Sequence, residues 1–412
     1  MYSISSTELM LIVLIIGTVL CAVIILIIIA IRCYYKKRLA SMTLYFIPSE
    51  PESISWEYEP DEWEVPRHEI DIIKPIARGS FGRVYSGNWT HNNKIIHCAL
   101  KAADTHSDAL NRKLLSEANI MKDFCATHVV RLYGVVSQND PVFILTEYME
   151  QGDLKSFLRL HCLEHDDGFC FAAPTLTDIL RMAIEIADGM AYLTFKKYVH
   201  RDLSASNCLV SANNVVKVGG FGLARDVYQT EYYKENSTGM MPIRWMAPES
   251  LHTGLFTCFS DVWSFGVVLW EIATLGTHPY TDENDKDVIS YVTGGGIMEK
   301  PDGCPDMLYD FMKLCWCFKA SDRPTFNELV RRLLPCARAD FEQLSFYHNG
   351  LLSETVNNRE VDAPINGIPN KNILIKECNE TEHRNVPKIL TNQENVDHVL
   401  RGSSLPLEQI IP

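Results

Sequence analysis

The chain contains 412 residues, 47% of them hydrophobic, and its 52 acidic and 38 basic residues give a formal net charge of -14. This length allows two or three domains and a large apolar core. The acidic balance argues against a nucleic-acid-binding protein, because such proteins need a basic face to displace the counterions of phosphates. The 13 cysteines are scattered without a CxxC pair, which indicates inert thiols rather than a zinc site.

A membrane span is predicted near the amino terminus. Residues 9–31 form an uncharged apolar run that, as a helix, would reach about 35 Å, enough for a hydrocarbon core of roughly 30 Å. A basic cluster follows at once, formed by Arg32, Lys36, Lys37 and Arg38. The positive-inside rule therefore places residues 1–8 outside and the rest of the chain in the cytosol. A cleaved secretory signal is disfavoured, because its basic residues would precede a shorter apolar run.

This arrangement predicts a single-pass membrane protein with membrane lipid as one partner. Because only residues 1–8 would lie outside, we expect no extracellular hormone to bind through an ectodomain of this chain. Residues 32–66 contain four prolines and an acidic run, which predicts an extended juxtamembrane linker. Residues 349–412 contain no aromatic residue and are rich in Asn and Glu, which predicts a disordered tail. Residues 67–348 remain as the folded domain.

The folded domain opens with a glycine-rich turn. Residues 70–85 have the pattern of two strands joined by a turn that contains Gly79 and Gly82, with Ala77 just before them. Glycines at such a turn let backbone N–H groups come close to phosphate oxygens, because no side chain intervenes. Alone, this turn is weak evidence for a phosphate site, since paired glycines also mark simple hairpins.

Two further elements add charged residues to this pattern. The apolar strand at 98–101 ends on Lys101, and a helical run then carries Glu117. A second apolar strand, at 142–149, runs into a polar turn. Either charged residue alone would be an ordinary surface group; their order and spacing favour a functional pair.

Two polar clusters follow an amphipathic helix predicted over residues 176–193. The first cluster is His200-Arg201-Asp202 with Asn207 five positions after the aspartate, and the second is Gly220-Phe221-Gly222. A Val-rich segment joins the two clusters. This spacing is specific, whereas an isolated His-Arg-Asp would mean little.

In this order the motifs resemble the protein kinase signatures G-x-G-x-x-G-x-V, V-A-I-K, H-R-D-x-x-x-x-N, D-F-G and A-P-E. The segment 226–233 carries three tyrosines at the spacing of the insulin-receptor family of tyrosine kinases, and the likeness to that family is colinear over residues 60–348. The resemblance implies an α+β, bilobal protein-kinase fold with a β-rich small lobe and a helical large lobe, behind a single transmembrane helix.

The resemblance also implies a site that takes ATP and Mg²⁺ as cofactors. Asp202 would accept the proton of the substrate hydroxyl, Lys101 held by Glu117 would meet the α- and β-phosphates, and Asn207 would hold a Mg²⁺ ion. The residues expected to bind ATP are Ala77, Gly79, Gly82, Val84, Ala99, Lys101, Thr146, Glu147, Met149 and Leu209.

Other positions carry regulatory or structural roles in the family. Glu249 and Arg323 are expected to form a buried salt bridge, and Asp261 is expected to support the catalytic loop. The tyrosines expected to be phosphorylated in the activation segment are Tyr228, Tyr232 and Tyr233.

Three positions depart from the family pattern. Gly220 stands where the family has a metal-binding aspartate, Ser206 replaces the arginine of the catalytic loop, and Ala77 replaces the first glycine of the turn. Loss of one preorganised electrostatic group commonly costs about a hundredfold to a thousandfold in rate, roughly 3–4 kcal/mol. The sequence therefore predicts impaired phosphoryl transfer.

Three functional hypotheses follow. The first is a membrane-anchored, catalytically impaired kinase that signals by docking to related receptor tyrosine kinases or adaptors. The second is a working tyrosine kinase that transfers the γ-phosphate of ATP, since the other catalytic residues are retained. The third is a non-enzymatic decoy that pairs with a full-length receptor and needs no nucleotide.

Overall fold

Five antiparallel strands form the amino-terminal lobe in the computed structural model, which describes residues 58–79, 82–103, 108–160, 173–227, 233–234 and 241–350. The sheet order is β1-β2-β3-β5-β4, and all four neighbouring pairs are antiparallel. The strands are β1 (Ile70–Gly79), β2 (Gly82–His91), β3 (Lys94–Ala102), β4 (Leu132–Val136) and β5 (Phe143–Glu147).

Helix α1 (Asp108–Met121) packs against this sheet. Its apolar residues recur at the three- and four-residue steps of a helical face and are buried in the core, namely Leu114, Leu115, Ala118 and Met121. The same buried face carries one charged residue, Glu117. An acid buried among these residues needs a partner, and Lys101 on β3 supplies it.

The chain just before the sheet extends its edge. The N–H of Val65 donates to the carbonyl of Val135 over 2.7 Å, and the N–H of Val135 donates to the carbonyl of Trp63 over 2.8 Å. Residues 58–66 fall in the region that the sequence assigns to the linker. The structure places 63–65 alongside β4, because Val65 is apolar and becomes buried there.

Helices dominate the second lobe, joined by three two-stranded ribbons that pair β6 with β9, β7 with β8 and β10 with β11. The helices are α2 (Leu154–Leu160), α3 (Leu176–Phe195), α4 (Pro248–Thr253), α5 (Cys258–Ala273), α6 (Asp285–Thr293), α7 (Asp306–Cys315), α8 (Phe326–Leu333) and α9 (Phe341–Leu344). The ribbon strands are β6 (Tyr198–Val199), β7 (Cys208–Val210), β8 (Val216–Val218), β9 (Arg225–Asp226), β10 (Tyr233–Lys234) and β11 (Leu255–Phe256).

Capping boxes fix where three of these helices begin. In α3, α5 and α8 a threonine precedes the first turn and accepts from the N–H three residues on, whose side chain returns a bond to the threonine N–H. The pairs are Thr175 with Asp178, Thr257 with Ser260, and Thr325 with Glu328. The helix predicted over 176–193 is thus observed over Leu176–Phe195.

Helix α5 forms the centre of the second lobe. It is apolar on nearly all sides, and Trp263 and Phe265 are fully buried, as expected for a helix enclosed by others. Two buried acids, Asp261 and Glu271, interrupt this apolar sequence. They reach the loops of the candidate site.

The predicted α+β, bilobal architecture is therefore observed, with a β-rich small lobe and a helical large lobe. No helix within the described ranges combines the length and apolar character needed to cross a bilayer. The predicted span at 9–31 and the predicted tail at 349–412 lie outside those ranges, apart from residues 349–350 at the end of the domain.

Candidate active site

An ion pair links strand β3 to helix α1 in the small lobe. Lys101 on β3 donates from Nζ to Glu117 Oε2 over 2.6 Å and to Oε1 over 2.8 Å. Strand β3 turns Leu100 and Ala102 into the core, so that Lys101 between them takes the opposite face. The pair predicted from the sequence is present, and it fixes a positive charge on the face of the sheet that meets α1.

Strand register places several predicted ATP-binding residues on that same face. Ala77 pairs with Val84, Val84 with Lys101, and Ala99 with Thr146. Residues directly opposite each other in a sheet project to the same side, so these five share the face of Lys101. Gly79 and Gly82 close the turn above them. A Cβ at Gly82 would lie 1.9 Å from the Ala102 carbonyl oxygen, so only glycine fits there.

Glu147, the last residue of β5, uses its side chain for contacts within the protein. The Glu147 carboxylate accepts from the N–H of Arg131 over 2.8 Å and from Lys217 Nζ over 2.7 Å. The Glu147 N–H also donates to the Arg131 carbonyl over 3.0 Å, so the side chain and the N–H of this predicted ATP-binding residue are both bound within the protein. Met149 is buried, and its carbonyl accepts from the N–H of Gly152 over 3.1 Å. Leu209 lies half-buried on β7.

Helix α5 holds the catalytic loop from below. Asp261 accepts from the N–H of His200 over 2.8 Å and from the N–H of Arg201 over 3.0 Å. Burial raises the pKa of the Asp261 carboxyl to about 7, against the effect of these two hydrogen bonds. Asp261 therefore supports the loop as predicted.

Glu271 is a second support, which the sequence analysis did not identify. Its Oε2 accepts from the N–H of Ala205 and from Trp245 Nε1, both over 2.9 Å. Burial raises the pKa of this carboxyl to about 7. The signal was available in the sequence, because Asp261 and Glu271 are the two acids of an otherwise uncharged helix.

His200 connects the two polar clusters. Its Nε2 donates to the Gly219 carbonyl over 2.8 Å, and its Nδ1 accepts from the N–H of Asp202 over 3.2 Å. Burial lowers the pKa of His200 to about 4, so the ring is neutral near pH 7 and both hydrogen bonds fit one tautomer. Phe221 packs on the other side, with its ring centroid 5.4 Å from that of His200 and 5.0 Å from that of Phe124.

Asp202 is the residue that the sequence predicts as the proton acceptor. Burial raises the pKa of its carboxyl to about 6, a change opposed by a hydrogen bond with Asn207 and reinforced by the nearby charge of Glu117. Lys101 also acts on this pKa, in the lowering direction. The three predicted catalytic residues thus lie close enough to influence one another electrostatically.

The Asp202 carboxyl should make the domain less stable as pH rises. Its pKa is about 6 in the fold against an ordinary value of 3.8, so the stability it contributes is present below about pH 4 and is lost as pH rises through 6. Asp202→Asn mimics the protonated form and should raise the free energy of unfolding by about 2–3 kcal/mol at pH 8. Urea unfolding at pH 8 and pH 4.5 measures this, and an equal effect at both values would contradict the shift.

Gly220 and Asn207 meet where the family places its metal-binding aspartate. Gly220 has φ +76°, a conformation that glycine adopts without strain. A Cβ at this position would lie 2.3 Å from Asn207 Oδ1 and 2.5 Å from its Cγ. Asn207 Nδ2 donates to the Asp202 carbonyl over 2.6 Å. The asparagine side chain thus takes the space that a side chain at 220 would need.

These donors do not fit the Mg²⁺ site that the family implies. Mg²⁺ requires near-octahedral oxygen coordination, and proteins usually hold it with one or two carboxylates together with phosphates. Position 220 offers no side-chain oxygen, and Asn207 Oδ1 lies where the missing group would begin. Within the described parts of the chain, no group of three His, Cys, Asp or Glu side chains could hold a metal ion. The Lys101–Glu117 pair, by contrast, fits a nucleotide phosphate.

The described part of the activation segment contacts the catalytic loop. Tyr233 lies on β10, and the Arg201 guanidinium carbon is 4.1 Å from its ring centroid and 4.7 Å from that of Phe256. These distances are those of cation–π contacts. Of the tyrosines predicted to be phosphorylated, Tyr228 and Tyr232 lie outside the described residues. Ser206, which replaces the family's arginine, is exposed.

The predicted large-lobe salt bridge is present. Arg323 Nη1 lies 2.6 Å from Glu249 Oε1, and Nη2 lies 2.8 Å from Oε2. The Arg323 side chain is fully buried and also stacks on Trp263 at 5.1 Å. This two-point contact ties the end of the activation segment to the base of the lobe.

Comparisons with known proteins agree with this geometry. The family model described as "Protein tyrosine and serine/threonine kinase" matches residues 70–333. The chain is 46% identical over 314 residues to the insulin-like peptide receptor of Branchiostoma lanceolatum, covering 71% of this chain and 23% of that receptor. It is 46% identical over 296 residues to the insulin-like growth factor 1 receptor of Bos taurus, covering 71% and 46%.

A third relative extends the match. The chain is 43% identical over 337 residues to the insulin receptor of Xenopus laevis, covering 80% of this chain and 25% of that receptor. The chain spans less than half the length of these three relatives. The matched region coincides with the bilobal domain and includes the Lys101–Glu117 pair, the catalytic loop and the Glu249–Arg323 bridge. The chain is therefore a protein kinase family member that belongs to the insulin-receptor family of tyrosine kinases.

Proposed function

We propose that this domain binds ATP in its cleft, transfers phosphate weakly or not at all, and signals by docking to related receptor tyrosine kinases or their adaptors. The observation that carries the proposal is the combination of an assembled Lys101–Glu117 pair with a glycine at position 220. The first meets nucleotide phosphates, and the second removes a carboxylate that would neutralise and orient the transferred group through its metal.

The proposed residue roles follow from the same geometry. Lys101 orients the phosphates, Glu117 orients Lys101, and the face of the small-lobe sheet covers the base and sugar. Asp202 is the proton acceptor for whatever transfer remains. Mg²⁺ is the family's usual companion of ATP and would supply charge neutralisation when bound, but this domain lacks one of the expected ligands.

The location of the domain is part of the proposal. We place it on the cytosolic side of a membrane, anchored by residues 9–31, because that apolar run is followed at once by basic residues. Membrane lipid is then a standing partner, and anchoring in the same membrane would raise the effective concentration of a related receptor.

An active kinase is the second candidate, favoured by one observation. Lys101, Glu117, Asp202 and Phe221 are arranged together, and the activation segment retains Tyr233 beside Arg201. The same assay separates the two candidates, and a nucleotide-free decoy would bind no ATP at all.

The test is tyrosine autophosphorylation of the full chain, purified in detergent, with Mg²⁺ and ATP. We expect negligible phosphotyrosine from the unmodified chain. Gly220→Asp should raise the signal by about tenfold or more, because it returns one electrostatic group to the site. Gly220→Ala is the matched control, since it adds the Cβ beside Asn207 without a carboxylate.

Two results would decide against the proposal. Strong autophosphorylation by the unmodified chain that disappears in Asp202→Ala would establish a working kinase. Equal signals from Gly220→Asp and Gly220→Ala would show that the missing carboxylate does not limit the reaction.

A further inference from the structure

The space beside Gly220 is filled by a neutral side chain. Asn207 Oδ1 lies 2.3 Å from where a Cβ at 220 would be, and Asn207 Nδ2 is bound to the Asp202 carbonyl at 2.6 Å. The N–H of Gly219 also donates to the Asn207 carbonyl over 2.8 Å. Asn207 is thus held through both its backbone and its side-chain amide. In this position it fills the space that an aspartate side chain at 220 would need.

The charge of the cleft changes with the same substitution. Glu117 is neutralised by Lys101, and Asp202 is the remaining carboxylate among the catalytic groups of the described chain. An aspartate at 220 would add a second negative charge facing the phosphates, which a divalent cation must normally screen. Glycine and the neutral Asn207 amide add no charge. Less negative charge therefore faces the phosphates, and less of it has to be screened by a cation.

We propose that this site binds its nucleoside triphosphate without a divalent cation. Lys101 contacts the phosphates directly, and the neutral Asn207 amide occupies the space where the family's metal-binding aspartate would lie. This inference rests on the proposed function, because it concerns the form in which the nucleotide binds. It predicts a site whose affinity for ATP is indifferent to Mg²⁺, in contrast to a site built around a metal.

Titration of the full chain with ATP, followed by thermal unfolding, tests the inference without any turnover. One series contains EDTA and the other contains excess MgCl₂. We expect the same apparent Kd in both series. Lys101→Met should weaken the binding about tenfold to a hundredfold in EDTA, because a charge-assisted bond to phosphate is lost.

Gly220→Asp and Gly220→Ala supply a matched pair. The aspartate variant should bind ATP more weakly than the unmodified chain in EDTA and regain affinity with MgCl₂, by about tenfold. The alanine variant adds the same Cβ without charge and should show no preference for MgCl₂. The melting temperature of each variant without nucleotide shows whether it is folded.

The unmodified chain alone decides the outcome. Binding that appears only with MgCl₂ would overturn the metal-free inference and leave the proposed nucleotide-binding function intact. No stabilisation by ATP in either series would overturn both, and would favour the nucleotide-free decoy.

Discussion

Replacing Glu249 by alanine should lower the free energy of unfolding by about 3–5 kcal/mol. The change leaves the Arg323 guanidinium fully buried without its carboxylate, although three main-chain carbonyls still accept from it. An uncompensated buried charge is among the most destabilising single changes known for folded domains. Urea unfolding of the full chain, followed by tryptophan fluorescence, measures the loss.

Two variants test the mechanism of that loss. Glu249→Gln preserves the shape of the side chain and one acceptor oxygen. It should therefore lower the free energy of unfolding less than the alanine variant does. Asp310→Ala removes an exposed partner of Lys313 on α7 and should change stability by no more than about 1 kcal/mol. If Glu249→Ala matched Asp310→Ala, the buried bridge would contribute no more than a surface pair.

Replacing Asp188 by alanine should also lower the free energy of unfolding by about 3–5 kcal/mol, for a different reason. Asp188 on α3 is fully buried and lies 2.7 Å from His128 Nδ1. Its two oxygens also accept from the N–H groups of Phe346 and Tyr347, over 2.9 and 2.8 Å. The single carboxylate therefore joins the loop after α1, helix α3 and the carboxyl-terminal end of the domain.

A double-mutant cycle tests this link between distant segments. Truncation after residue 340 removes the two N–H donors, so Asp188→Ala should cost less in the truncated chain than in the full one. Asp188→Asn keeps one acceptor oxygen, so its loss in the free energy of unfolding should be smaller than that of Asp188→Ala. Additive effects of truncation and Asp188→Ala would mean that the carboxylate does not hold the segment.

The impaired catalysis that we propose is compatible with a stable scaffold in this domain. Asp261 and Glu271 support the catalytic loop from α5, where they accept from the N–H groups of His200, Arg201 and Ala205. The glycine at 220 removes a charge and a side chain but leaves the Phe221 packing in place. We therefore expect the substitution to affect the chemistry of the site more than its shape.

Much of the fold follows from local pattern. The alternation in β3 around Lys101 and the three- and four-residue spacing in α3 are properties of short stretches, so the sequence predicts the elements and the faces they bury. The Lys101–Glu117 and Glu249–Arg323 pairs were expected through the resemblance to kinases, and both are present. The absence of a carboxylate at Gly220 could be recognised from the order of the motifs alone.

The tertiary structure decided what depends on groups brought together from distant parts of the chain. It alone showed that Asn207 fills the space beside Gly220, that the Glu147 side chain turns toward Lys217, and that residues 63–65 extend the sheet. Burial, which no local pattern measures, set the pKa of Asp202 near 6. The sequence by itself determined which charged group is absent, whereas packing determined what took its place, because side-chain position depends on neighbours that only the folded chain provides.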